Sequence, residues 1–197
     1  AFDVLTREMH TKPGMLVAQC WELLQLLTRH RPASIVEMGS GRTSLLFAAY
    51  TVRTGGQYVA YEQDPKWEAA VNRLTERLFH QRPVHLVGVL HEALGGRYAV
   101  DLPTGADFLY VDGPYIPRRP FPTFTRKPVM LDVPRVLAAG QRPRVILVDN
   151  RTDTVDAIVR VAPQDYTFSG GFLWAQERQQ LRHALGFREH SVFALHG

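Results

Sequence analysis

Four short apolar segments of this chain each run into a carboxylate. Residues 34–38 carry Glu37, residues 57–62 end on Glu62, residues 107–112 end on Asp112, and residues 145–149 end on Asp149. The stretches between them place apolar residues at helical spacing, so the chain reads as strands alternating with helices. Short, continuously apolar strands joined by helices predict a mostly parallel sheet covered on both faces. On such sheets ligands bind beyond the carboxyl ends of the strands, near the point where strand order reverses. An unpaired carboxylate costs several kcal/mol to bury, so four acids at equivalent strand ends mark that edge as a polar site.

Helices are expected over 16–29, 43–52, 65–79, 129–138 and 153–161, with a further helical segment at 175–185. The remaining strands are expected at 84–87, 166–169 and 191–195. Pro13-Gly14 suits the start of the first helix, in which Leu16, Cys20, Leu23, Leu24 and Leu27 form the apolar stripe. Cys20 reads as a buried core thiol and, as the single cysteine, can form no intramolecular disulfide. A length of 197 residues suits one α/β domain over 1–197, with 1–30 as an N-terminal helical lid region and 115–128 as an inserted loop. The net charge of +4 is spread along the chain, which does not by itself call for nucleic acid. Without an apolar run of eighteen residues, the chain as given reads as a soluble cytoplasmic protein with no membrane association.

The first strand leads into Val36-Glu37-Met38-Gly39-Ser40-Gly41, an acid followed by two glycines in the turn to the next helix. Glycine lets a backbone approach a ligand closely. Thr43 stands near where a dinucleotide fingerprint has its third glycine, and Glu37 would repel a pyrophosphate while attracting a cation. Glu62 follows Gly41 by 21 residues, a spacing that suits a ribose-binding acid in a nicotinamide enzyme as well as in other adenosine-binding folds.

These residues resemble motif I of the S-adenosylmethionine-dependent methyltransferases, and Tyr61-Glu62-Gln63-Asp64 resembles that family's second motif. The resemblance covers most of the chain. It implies a Rossmann-like methyltransferase fold: a seven-stranded, mostly parallel sheet with helices on both faces and an antiparallel C-terminal strand. It also implies S-adenosylmethionine as cofactor, with Glu37, Gly39, Ser40, Gly41, Glu62, Gln63 and Asp112 around it. In that family the acid at the position of Glu37 mainly orders the loop, and the acid at that of Glu62 accepts both ribose hydroxyls. Gly88, His91 and Glu92 fall in the stretch that faces adenine in relatives.

Leu109-Tyr110-Val111-Asp112-Gly113-Pro114 resembles the fourth motif, where the strand end meets the methyl group and the acceptor. Asp112, Asp149 and Asn150 together resemble the divalent-metal ligands of catechol-type O-methyltransferases, which implies Mg²⁺ or another divalent cation as a candidate second cofactor. Those enzymes carry an Asp or His shortly after the motif-four acid, whereas this chain has Gly113-Pro114-Tyr115. Without a metal, Asp112 is the first candidate base, and Asp149 and Asn150 would then only cap the next helix. The 115–128 loop, rich in proline and aromatics, is expected to act as a substrate lid. There Tyr115 would stack or hydrogen-bond, and Arg118 or Arg119 would meet an acidic group. Met9-His10-Thr11-Lys12-Pro13-Gly14 resembles the segment that folds over the cofactor in small O-methyltransferases, which makes Lys12 a further catalytic candidate.

The expected function is therefore methylation of a small-molecule acceptor, on a sugar or aromatic hydroxyl, in a protein that could dimerise as small O-methyltransferases do. Three alternatives remain open. Asp112-Gly113-Pro114-Tyr115 looks like a degraded Asp-Pro-Pro-Tyr motif of amino-methyltransferases acting on nucleic acid bases. A cofactor-binding module without catalysis, or a nicotinamide-dependent oxidoreductase, would retain the same glycines and acids.

Overall fold

The computed structural model describes residues 17–93, 95–116, 129–149, 151–162, 164, 166–170 and 190–195. In chain order the elements are α1 (Val17–His30), β1 (Ser34–Met38), α2 (Arg42–Thr54), β2 (Gln57–Glu62), α3 (Pro65–Phe79), β3 (Val84–Leu86), β4 (Val89–Glu92) and β5 (Gly95–Tyr98). There follow β6 (Phe108–Val111), β7 (Val129–Met130), α4 (Asp132–Ala138), β8 (Val145–Asp149), α5 (Thr152–Val161), β9 (Tyr166–Gly170) and β10 (His190–Leu195). The expected helix at 175–185 lies outside the described residues.

Seven strands form one sheet in the order β3-β2-β1-β6-β8-β10-β9. The pairs β1–β2, β1–β6, β2–β3 and β6–β8 are parallel, while β10 runs antiparallel to both β8 and β9. This is the expected seven-stranded, mostly parallel sheet with one antiparallel C-terminal strand. Alternate strand residues face opposite sides, as the two-residue period of a strand requires. Val36, Met38, Leu109, Val111, Ile146 and Val148 pack on one side against α4 and α5 through Val133, Leu137, Val155 and Ile158. On the other side Ile35, Phe108, Tyr110, Val145 and Leu147 meet Leu23 and Leu27 of α1 and Phe47 of α2. Leu45 of α2 and Ala70, Val71 and Leu74 of α3 close that side over Ala60 and Val84.

Local chemistry explains the helix starts. The Asp64 carboxylate accepts the Lys66 backbone N–H at 2.8 Å, and Pro65 occupies the first helical position, so α3 begins where its sequence says. Inside α3 the buried Asn72 amide donates to the Val84 carbonyl at 2.8 Å and accepts the Val84 N–H at 3.0 Å, tying the helix to β3.

Three expectations are corrected. The helix read over 129–138 starts only at Asp132, because Val129 and Met130 pair with Gly95 and Gly96. With β4 they make a separate three-stranded sheet, β4-β5-β7, that the sequence reading did not contain. Only glycine fits there: a Cβ on Gly95 would lie 1.9 Å from the Val129 carbonyl oxygen. Finally, Cys20 is half-buried rather than a core thiol, because Leu23 and Leu27 take the inner face of α1 and leave Trp21 63% exposed. Burial nevertheless raises the Cys20 pKa.

Candidate functional site

Strand register brings three of the four acids, together with Gly39, to one edge. Met38 pairs with Tyr61 on one side and Val111 on the other, and Val111 pairs with Val148. The next residues, Gly39, Glu62, Asp112 and Asp149, therefore stand level at the carboxyl end of the sheet. Strand order reverses between β1 and β6, which is where such sheets bind ligands.

At the rim of β1 the chain turns through Gly39, whose φ of +92° is left-handed backbone that favours glycine. Its N–H donates to the Tyr61 carbonyl at 2.9 Å, while Asp112 and Gly113 donate their N–H groups to the Met38 carbonyl at 2.8 and 2.5 Å. Three strand ends are thus laced by backbone alone.

The Glu62 carboxylate fills the space under this turn. One oxygen accepts the Ser40 N–H at 2.8 Å and the Ser40 hydroxyl at 3.0 Å. The other accepts the N–H groups of Gln63 at 2.7 Å and Asp64 at 2.9 Å. A carboxylate so gripped by backbone donors is a fixed anion, stronger as an acceptor than a neutral group.

Glu37 does something different. It points to the α2 side of the sheet, is fully buried, and accepts from the hydroxyls of Thr43, Ser44 (2.6 Å) and Tyr58. Burial pushes its carboxyl pKa up to about 7, against the pull of these three donors. Ser44 also accepts the Gly41 N–H at 2.9 Å, so the carboxyl reaches the glycine turn through one hydroxyl. Its contacts are those of a group that holds the turn and the start of α2.

At the end of β6, Asp112 is 45% exposed and lies 3.7 Å from an Arg151 guanidinium nitrogen. The same guanidinium donates to the Asp112 carbonyl. Beyond it the Gly113–Pro114 peptide is cis, and Gln63 donates from Nε2 to the Tyr115 carbonyl at 2.8 Å, joining the ends of β2 and β6. The Tyr115 ring is exposed.

Tyr98, which the sequence did not single out, reaches this place from β5. It is wholly buried, and its hydroxyl has no hydrogen-bond partner among the described residues. A Cβ on Gly113 would lie 2.4 Å from that hydroxyl. Burial, with Glu62, Asp132 and Asp112 nearby, pushes the phenol pKa well up, so Tyr98 is a neutral donor. Asp132 fixes it by accepting the Tyr98 N–H at 3.2 Å on each oxygen. The Nε of Arg151 and the Oε1 of Gln63 are likewise buried without partners among the described residues. Three unpaired polar atoms beside Glu62 and Asp112 are what a site for a polar ligand leaves behind when viewed without it.

The structure thus brings Gly39, Ser40, Gly41, Glu62, Gln63 and Asp112 together, with Tyr115 at the rim. His91 and Glu92 lie instead on β4, both exposed, where Glu92 pairs with Arg97 and Arg135 at 3.0 Å each. Exposed pairs of this kind add little stability. Lys12, Arg118, Arg119 and Asn150 lie outside the described residues.

Of the residues expected to hold a divalent ion, Asp112 and Asp149 stand level at the ends of the neighbouring strands β6 and β8, and Asn150 lies outside the described residues. Among the described residues no group of three or more His, Cys, Asp or Glu is placed to hold one. An ion ligated about 2.1 Å from Asp112 would also stand within about 6 Å of the Arg151 guanidinium, a repulsion of roughly 5 kcal/mol at an effective dielectric of about 20 and less at this half-exposed carboxylate.

No protein-family model matches the sequence, and no curated protein matches it. Solved structures do. The methyltransferase domain of bacterial CtHen1-C superposes with a TM-score of 0.55 at 13% identity, covering 91% of this chain and 97% of its own. An O-methyltransferase from Bacillus cereus, solved in complex with SAH, gives 0.52 at 14% identity over 99% of this chain and 88% of its own. Precorrin-6y C5,15-methyltransferase from Geobacter metallireducens gives 0.51 at 14% identity over 94% and 93%. The chain has the fold that these methyltransferases share.

Proposed function

We propose that this protein is an S-adenosylmethionine-dependent methyltransferase that transfers its methyl group to an oxygen of a small-molecule acceptor, a sugar or aromatic hydroxyl. The observation that carries the reading is Glu62. Its carboxylate is pinned by Ser40, Gln63 and Asp64 at the end of β2, one strand from where the strand order reverses, a position at which a fixed anion suits paired ribose hydroxyls. When bound, the cofactor supplies an electrophilic methyl on a sulfonium. The acceptor oxygen would bond to that carbon as the carbon–sulfur bond breaks, leaving a neutral thioether, and the acceptor's proton would pass to a base of the chain. Asp112 is the exposed carboxylate at the strand end where the acceptor would lie, so it takes that proton and orients the hydroxyl. Tyr115, with Arg118 and Arg119 of the loop, would bind the acceptor, and Lys12 would close over it from the N-terminal segment.

Calorimetric titration with S-adenosylhomocysteine, with NAD as control, tests the cofactor. Micromolar binding of the former, weakened at least tenfold in Glu62→Ala, is the expected result. Binding of NAD instead, or of neither, overturns the reading.

A further inference from the structure

Arg151 follows the fifth strand end of the main sheet, one residue beyond Asn150, and belongs to no motif of the sequence. Its guanidinium crosses to the end of β6, where it donates to the Asp112 carbonyl and lies 3.7 Å from the Asp112 carboxylate. The side chain is only 20% exposed, and its Nε is buried with no acceptor among the described residues. The fully buried Tyr98 hydroxyl lies on the same Asp112–Gly113 peptide, also unpaired among the described residues. A planar cation with one N–H unspent, beside a neutral phenol and an exposed carboxylate, is a ready site for an oxygen acceptor.

We propose that Arg151 is the resident cation of the reacting end: the guanidinium takes the electrostatic place a divalent metal would hold at Asp112, and offers its Nε–H to an acceptor that presents an anionic or ionisable oxygen. This rests on the methyltransferase reading only for where the acceptor lies. The exclusion of a metal rests on Arg151 and Asp112 alone. Arginine suits the role because it stays charged at any physiological pH and one terminal nitrogen holds Asp112 while the Nε–H is left without an acceptor among the described residues.

Mn²⁺ binding, read from the electron paramagnetic resonance of the free ion, separates these claims and is run with and without S-adenosylhomocysteine. The wild-type protein is expected to bind no Mn²⁺ at submillimolar concentration in either condition. Arg151→Ala is expected to gain affinity at least tenfold, and the gain is expected to vanish in Arg151→Ala/Asp112→Asn. Arg151→Lys, which keeps the charge, is expected to stay silent and guards against a change of fold. Stoichiometric Mn²⁺ binding by the wild type that Asp112→Asn abolishes would overturn the proposal. So would an Arg151→Ala protein, folded by circular dichroism, that gains no affinity. Failure of S-adenosylhomocysteine to bind would count against the cofactor and leave the Mn²⁺ comparison, made without it, to decide on Arg151.

Discussion

Gly39 and Gly113 pack backbone to backbone: a Cβ on Gly39 would stand 2.6 Å from the Gly113 nitrogen, and one on Gly113 would stand 2.7 Å from the Gly39 Cα. Two turns from strands that are adjacent in space and distant in sequence thus share one contact with no side chain between them. Gly39→Ala adds a methyl there and also strains a left-handed residue, so it should lower stability by roughly 2 kcal/mol or more. Urea denaturation measures this, and calorimetry should show S-adenosylhomocysteine binding lost in the same variant at temperatures where it remains folded. Wild-type stability and binding together would show that the two turns separate freely.

The Glu37 carboxyl, with its pKa pushed up to about 7 from an ordinary 4.5, makes stability depend on pH. Between those values the folded chain holds a proton that the unfolded chain releases, so stability from this group is full below pH 4.5 and is lost as pH rises to about 7. The loss is roughly 3 kcal/mol. Glu37→Gln keeps the shape without the charge, so the variant should gain on the wild type across that interval. Denaturation at pH 5 and pH 8 measures the difference. A pH-independent difference would mean that Glu37 is already ionised at pH 5.

Strand and helix positions were largely legible because the central strands are short, mostly apolar stretches of the right length and the helices carry apolar residues at helical spacing between clear turn signals. β1, β2, α3 and β8 have the bounds that their apolar pattern and punctuation predict. The β4-β5-β7 sheet was not legible. β4 is short and mostly exposed, and β5 opens on Gly95-Gly96, whose purpose appears only when Val129 lies against it. At the site, the acids and glycines could be found because they sit at strand ends. Tyr98 and Arg151 could not, since each acts on Asp112–Gly113 from a distant part of the chain. Their only local signals were an aromatic after Gly-Gly-Arg and a cation after Asp149-Asn150.

Tyr98→Phe removes a buried hydroxyl that has no partner among the described residues. The folded protein should become more stable by about 1 kcal/mol, visible as a higher Tm. Affinity for S-adenosylhomocysteine or for the acceptor should fall in the same variant. A lower Tm would show that the hydroxyl is already satisfied within the fold.

Asn72 bridges α3 and β3 through both halves of its amide. Asn72→Ala leaves the buried N–H and carbonyl of Val84 unpaired and should cost about 2–3 kcal/mol. Because β3 is the outer strand beyond Glu62, hydrogen exchange should rise first at Val84–Leu86, with β6 and β8 still protected. Uniform exchange across the sheet would contradict that order.

The three-stranded sheet has a consequence for how new acceptors could arise. The chain passes Ile116, whose Cδ1 lies 2.7 Å from where a Gly96 Cβ would be, and re-enters at Val129, paired with Gly95. Residues 117–128 thus leave and return beside one glycine pair, and doubling such a loop costs only about 0.6 kcal/mol in closure entropy. With both stems held at that pair, a change of length between Ile116 and Val129 is a small entropic term and not a rearrangement of the sheet. If that segment binds the acceptor as proposed, variants that replace it could trade one acceptor for another while Gly95 and Gly96 stay put.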